Sequence, residues 1–170
     1  MPNPRKEFAR LYDKYIEKIY RFIFLKVESQ EVAEDLTHQV FAKIWERFRT
    51  SNGTSNKIKN PTAYLYQIAR NEVVNHHREK SKFQIISAEA TQIADPAPTL
   101  EEHQQLQSDL ESLRRCLGQL KDDYQNVIIW RYLDGLSIKN IAQIIDKPEG
   151  TVRVMIHRAL KELREKMESS

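Results

Sequence analysis

The sequence predicts an all-α protein: two small helical domains joined by a flexible acidic linker, the second containing a helix-turn-helix. Three observations carry that prediction. Glycine (4) and proline (6) are scarce among the 170 residues, while Leu, Ile, Glu, Lys, Arg and Gln abound, which favours helices over a sheet built from tight turns. Apolar residues recur at intervals of three and four through most of the chain. That periodicity stops between Phe83 and Thr99, where Pro96 and Pro98 stand close together and no basic residue occurs, the composition of a linker.

The first helix is predicted from Glu7 to Val27. Phe8, Leu11, Tyr12, Tyr15, Ile16, Ile19, Tyr20 and Ile23 form its apolar face, with Lys14, Lys18 and Arg21 toward water. Glu28-Ser29-Gln30 reads as a short connection. A second helix follows with Val32, Leu36, Val40, Phe41, Ile44, Trp45 and Phe48 along one stripe, ending before a polar loop around Gly53. Asn60 suits a helix cap and Pro61 a first turn, so a third helix is predicted to run to about Lys80, with Leu65, Ile68, Ala69 and Val73 inward. These three helices make a first domain over residues 1–82.

Residues 83–105 are read as the linker and 106–170 as the second domain. Leu106, Leu110, Leu113, Leu117 and Leu120 repeat as a short helical seam. A helix from Tyr124 to Leu133 is closed by Asp134-Gly135, and Ser137 caps the next, which carries Ile138, Ile141, Ala142 and Ile145. Asp146-Lys147-Pro148 turns the chain into a last helix, from about Glu149 to Met167, with Val152, Ile156, Leu160 and Leu163 inward.

Charge is distributed in blocks. Residues 1–82 carry 16 basic against 10 acidic residues, residues 83–112 carry six acids and no Lys or Arg, and residues 113–170 carry 11 basic against 8 acidic. Two basic blocks around an acidic one fit two modules that face nucleic acid. Cys116 is the only cysteine, so no disulfide framework or cysteine-based zinc cluster exists, as suits a reducing compartment. The N-terminus has no signal-peptide core, and no apolar run approaches the roughly 18 residues of a membrane span, so an intracellular protein without membrane insertion is expected. His76 and His77 are adjacent and point apart on a helix, so no metal site is expected there. There is no Gly-rich phosphate loop, His-Glu-x-x-His or nucleophile elbow, and neither an enzyme nor a cofactor is expected.

The eight-residue helix, tight turn and longer basic helix near the C-terminus describe a helix-turn-helix. With Val152, Ile156 and Leu160 inward, Thr151, Arg153, Val154, His157, Arg158 and Lys161 point outward or flank that face, a set suited to phosphates and base edges. A four-helix bundle with a solvated basic face is the plainer alternative.

From Tyr124 to Arg153, and on through His157-Arg158-Ala159, the sequence resembles the −35-binding domain of RNA polymerase sigma factors, of the sigma-70 family. The segments Ala33–Trp45 and Pro61–Asn75 resemble, in the same order, the sigma segments that dock on the polymerase clamp helices and that open and read the −10 element. Both blocks with only a linker between them resemble the extracytoplasmic-function (ECF) subfamily. The resemblance implies a cytoplasmic bacterial factor that binds core RNA polymerase through its clamp helices and flap, directs it to promoter DNA, and is commonly restrained by an anti-sigma protein.

Residue by residue, the resemblance implies polymerase contacts at Glu34, Asp35, His38 and Gln39, where acids near a helix start suit a basic coiled coil. Leu36, Val40, Phe41, Ile44 and Trp45 are read as core. It implies −10 contacts at Asn60, Thr62, Tyr64, Gln67, Arg70, Asn71, Asn75 and Arg78, since exposed rings stack on bases and cations follow the backbone. Each tyrosine in this helix is either a stacking platform or core. The loop from Thr50 to Asn60 falls where the family captures a flipped-out base. Contacts to −35 are implied at Gly150, Thr151, Arg153, Val154, His157 and Arg158. The chain departs from the family at His38-Gln39, where Gln-Glu is common, at Tyr64, where Trp is frequent, and at Val154-Met155, where Ser-Arg is usual. The rival reading is a two-domain regulator whose helix-turn-helix binds duplex DNA unaided, usually as a dimer.

Overall fold

The computed structural model describes residues 3–50, 58–86 and 101–168. Helix α1 spans Pro4–Lys26; the Asn3 side chain accepts the Arg5 N–H at 3.0 Å and Pro4 occupies the first turn, where its missing N–H costs nothing. Helix α2 spans Gln30–Thr50, with Ser29 Oγ accepting the Val32 N–H at 3.1 Å. Helix α3 spans Pro61–Ile86, opened by Asn60, whose Oδ1 accepts the Ala63 N–H at 3.2 Å. It continues beyond Lys80 into the stretch read as linker, because Arg78–Lys82 are mostly good helix formers with nothing to break the turn.

These three helices pack around Tyr15, Ile19, Phe22, Ile23, Val40, Ile44, Leu65, Tyr66, Ala69 and Val73, all buried. A nearly buried carboxylate, Glu72 on α3, is paired with Lys43 of α2, which leaves that charge compensated rather than stranded.

Helix α4 spans Glu101–Gly118, so it starts inside the segment read as linker; residues 87–100 lie outside the described residues. Arg114 lies across the end of α1, donating to Phe24 O at 2.7 Å with its guanidinium 4.5 Å above the Phe24 ring. Helix α5 spans Asp122–Ile128 and passes directly into a π-turn, Ile129–Leu133. Periodicity alone predicts one α-helix there. An α-helix buries a single stripe, but Val127, Ile128, Ile129 and Trp130 are all buried in succession; the π-turn begins within that run, after which Arg131 and Tyr132 are exposed. Gly135, at φ 70°, supplies the left-handed residue that ends it. Helix α6 spans Ile138–Ile145 and α7 spans Glu149–Glu168.

The two helical units are packed against each other. Trp130, wholly buried, sits 5.6 Å from Phe22 and 6.1 Å from Tyr66 by ring centroids. Beside it, the Asp134 carboxylate accepts from Arg21 at 2.8 Å and from the Tyr66 hydroxyl at 2.9 Å, while Arg21 also donates to Leu133 O at 2.6 Å. Arg21, expected to face water, is therefore half-buried at this junction: the second domain supplies the acceptors that α1 lacks. A second tie joins Lys26, at the end of α1, to Asp122 and to Gln125 Oε1 at 3.1 Å. Burial lowers the Lys26 pKa, and the Asp122 carboxylate opposes that shift.

Burial raises the Asp134 pKa above the ordinary carboxylate value, against the opposing pull of Arg21 and Tyr66. The folded protein therefore takes up this proton at a higher pH than the unfolded chain does. The stabilisation is fully present below the ordinary carboxylate value and is lost as pH rises through the raised one. Thermal unfolding midpoints across the acid-to-neutral range should fall with rising pH relative to Asp134→Asn, which has no group to titrate. Asp134→Ala strands Arg21 and the Tyr66 hydroxyl and should cost about 3 kcal/mol in a denaturant titration.

Candidate nucleic-acid interface

The helix-turn-helix is built from local signals. Ser137 accepts the Asn140 N–H at 3.0 Å, Asp146 takes the left-handed conformation (φ 55°), and Lys147 N returns to Ala142 O at 3.0 Å, closing α6. The next helix starts at once, with Val152 N bonded to Pro148 O at 3.2 Å. Val152, Ile156 and Ala159 face inward and are buried; Met155 and Leu160 are half-buried against them.

All six residues expected to read the −35 element, Gly150, Thr151, Arg153, Val154, His157 and Arg158, are exposed on one continuous outer surface of α7. Glu149 and Arg153 are 3.8 Å apart one turn along this face. A Cβ at Gly150 would meet nothing within 4 Å, so the fold does not require glycine there; its absence leaves the helix start bare for close approach. Val154 projects to solvent whereas its neighbour Met155 turns toward the core, so only the first of these two atypical residues lies on the outer face.

The −10 set divides in two. Asn71, Asn75 and Arg78 are exposed, with Arg70 and Tyr64 half-buried beside them. At the start of α3 the groups are already engaged: the Thr62 hydroxyl donates to Tyr15 Oη at 3.0 Å, Asn60 Nδ2 donates to Asn140 Oδ1 at 2.9 Å and to Gln143 Oε1, and Gln67 Nε2 donates to the carbonyls of Gln143 (3.0 Å) and Ile144 (3.3 Å). Helix α6 thus rests on this half of α3. Of the two tyrosines, Tyr66 is core, wholly buried with its hydroxyl on Asp134, and Tyr64 is partly open. Most of the loop expected to hold a flipped base, residues 51–57, lies outside the described residues.

Glu34, Asp35, His38 and Gln39 are all exposed along α2. Leu36, Val40, Phe41 and Ile44 are buried behind them as expected, while Trp45 is only half-buried, 5.2 Å from Phe8 by ring centroids. The residues that sequence reasoning missed are Asn140 and Gln143. They are ordinary polar positions of an amphipathic helix, and nothing local marks them as facing another domain. Among the described residues no cluster of His, Cys, Asp and Glu is arranged to hold a metal, and no helix is long and apolar enough to cross a membrane. His76 and His77 are instead bonded to Glu28 (3.1 Å) and to Lys26 O (2.7 Å).

Comparison with known proteins places two family models on the chain, sigma-70 region 2 over residues 11–83 and sigma-70 region 4 over residues 110–163. Among curated proteins, the chain is 29% identical over 168 residues to the RNA polymerase sigma factor YlaC of Bacillus subtilis, covering 98% of this chain and 95% of that protein. It is also 29% identical over 162 residues to the ECF RNA polymerase sigma factor BldN of Streptomyces coelicolor, covering 92% of this chain but only 58% of that relative. In fold it is similar to CnrH, solved in complex with the cytosolic domain of CnrY (TM-score 0.71, 14% identity, 98% of this chain and 90% of that one). The sigma factor RpoE of Bartonella quintana, solved with the anti-sigma factor NepR, gives a TM-score of 0.69 at 23% identity over 96% and 98% of the two chains.

Asp146 is a non-glycine residue in the left-handed region, a conformation that costs roughly 1 kcal/mol outside glycine. Asp146→Gly should leave thermal stability equal or up to about 1 kcal/mol higher. Asp146→Val should lower it by more than that, because a β-branched side chain collides with the backbone there.

Proposed function

Since the chain belongs to the sigma-70 family, as an ECF-type sigma factor, we propose that its three exposed polar faces divide the work of transcription initiation as follows. The factor binds core RNA polymerase and directs it to promoters bearing −10 and −35 elements. Glu34, Asp35, His38 and Gln39 on α2 form the docking stripe for basic residues of the polymerase clamp. The outer face of α3 reads and opens the −10 element, with Asn71, Asn75, Arg70 and Arg78 tracking the displaced strand and Tyr64 offering a ring for stacking. The outer face of α7 enters the major groove at −35, where Arg153, His157 and Arg158 meet phosphates and base edges.

The observation that supports this reading best is the agreement between the two matched regions and the open polar surfaces. Each region folds as a helical unit with its expected DNA-facing residues outward, apart from those that α6 covers at the start of α3. The factor performs no chemistry itself; melting is driven by binding free energy. Elements at −10 and −35 are separated by about 25 base pairs, or about 85 Å of duplex. A chain whose α6 rests on Asn60 and Gln67 cannot span that distance, so the two domains separate when both elements are held. By analogy with CnrH and RpoE, solved in complexes with CnrY and the anti-sigma factor NepR, a protein inhibitor acting in the cytoplasm is the natural restraint on this activity.

Purified protein mixed with core polymerase lacking sigma should co-migrate on size exclusion, and Asp35→Arg should weaken that association about tenfold or more through charge reversal at the interface. An autonomous regulator would instead bind duplex DNA without polymerase and ignore the substitution.

A further inference from the structure

Trp45 reads as core in the sequence, yet it is only half-buried in the fold. It belongs to a cluster of four rings. By centroids, Phe8 lies 5.2 Å from Trp45, 6.0 Å from Tyr12 and 6.3 Å from Phe41, and Tyr12 lies 5.0 Å from Phe41. Phe41 is buried and supports the group from below, whereas Tyr12 is 40% exposed and Phe8 is half-buried. Beside these rings, between α1 and α2, runs a groove of about 340 Å³ lined by Arg5, Phe8, Phe41, Ala42 and Trp45. Partly exposed rings packed together are a mark of an interaction site, which scattered single apolar residues are not. Trp, Tyr and Arg are also the residue types that dominate binding at protein interfaces.

The place of the groove on α2 says what covers it. Glu34, His38, Ala42 and Trp45 share one face of that helix, at intervals of four, four and three. The groove therefore continues the stripe proposed to dock on the polymerase clamp, starting one turn beyond His38. Eleven residues separate Glu34 from Trp45, about 16 Å of helix. The two ends differ in charge: Glu34 and Asp35 are exposed at one, and Arg5 is exposed at the other. Accepting the proposed docking role of Glu34 and His38, we propose that the Phe8–Trp45 groove is a second anchor point for the polymerase clamp. It takes an apolar side chain from the clamp helix whose basic residue meets Glu34, and Arg5 meets an acid beside that anchor. The occupant is a helix with a basic residue at one end and, about three turns along, an apolar residue next to an acid. A helix carrying these residues in the opposite order sets like charges against each other at both ends, so the groove also fixes the direction of docking.

Ala42 is exposed, so Ala42→Arg fills the groove from outside the core. Arg5→Glu reverses the charge of its rim in the first turn of α1, where an acid suits the helix dipole. Full-length variants are titrated against core polymerase lacking sigma, with Asp109→Arg on the exposed side of α4 as the control. With thermal midpoints equal to the native one, Ala42→Arg should weaken association about tenfold, the scale of losing one interface anchor. Arg5→Glu should weaken it about threefold through charge reversal, and Asp109→Arg should leave it unchanged. Native binding by both Ala42→Arg and Arg5→Glu, while Asp35→Arg still weakens it, would overturn the proposal and leave the docking stripe intact. So would an Ala42→Arg chain that loses only self-association in light scattering and keeps its polymerase affinity, because the groove would then belong to a second copy. No association between the native chain and core polymerase would overturn the docking reading itself, and this proposal with it.

Discussion

The Asp134 carboxylate is the constraint on which the arrangement of the two domains depends. A buried carboxylate needs compensating donors, and Arg21 and Tyr66, both from the first domain, provide them to Asp134. Around this polar point sit Trp130, Phe22 and Tyr66, whose burial is non-directional. The hydrogen bonds give the contact a register that apolar packing alone would not. The π-turn adjoins the same contact: it begins at the buried Ile129 and Trp130 and ends one residue before Asp134.

That junction determines which functional surfaces are accessible. With the domains held at Asp134 and again at Lys26, α6 falls on the first two turns of α3, and α7 is left turned outward. The outer face of α7, proposed to read −35, is therefore available in the closed arrangement while half of the α3 face proposed to read −10 is not. The contacts that cover the start of α3 are short-range hydrogen bonds between amides and carbonyls. DNA bases can replace such bonds one for one, so the exchange need not leave buried polar groups unpaired.

Much of the protein was legible in the sequence. The helix starts at Pro61 and at Ser137, the turn at Asp146 and the inner faces of α1, α2 and α7 follow from caps, turn chemistry and a three-four apolar repeat. These signals are local, and each acts within a few residues. The same is true of the exposed polar sets on α2 and α7, which are the complements of those apolar faces. Helix ends in the acidic stretch were less legible: α3 runs six residues past Lys80 and α4 begins at Glu101, where composition resembles a linker but contains no residue that forbids a helix.

What the sequence by itself determined is thus the set of helices, their buried stripes and the residues left to face a partner, because all of these are properties of one helix at a time. What only the tertiary structure decided is the pairing between domains. Arg21 reads as a solvated cation and Asp134 as part of a turn; their meeting joins residues 113 positions apart. Asn60 reads as a helix cap and, with Gln67, as a DNA contact; only packing shows that α6 engages both. The physical reason is that hydrogen-bond direction depends on which atoms face each other across a contact, and that orientation exists only after the helices have packed.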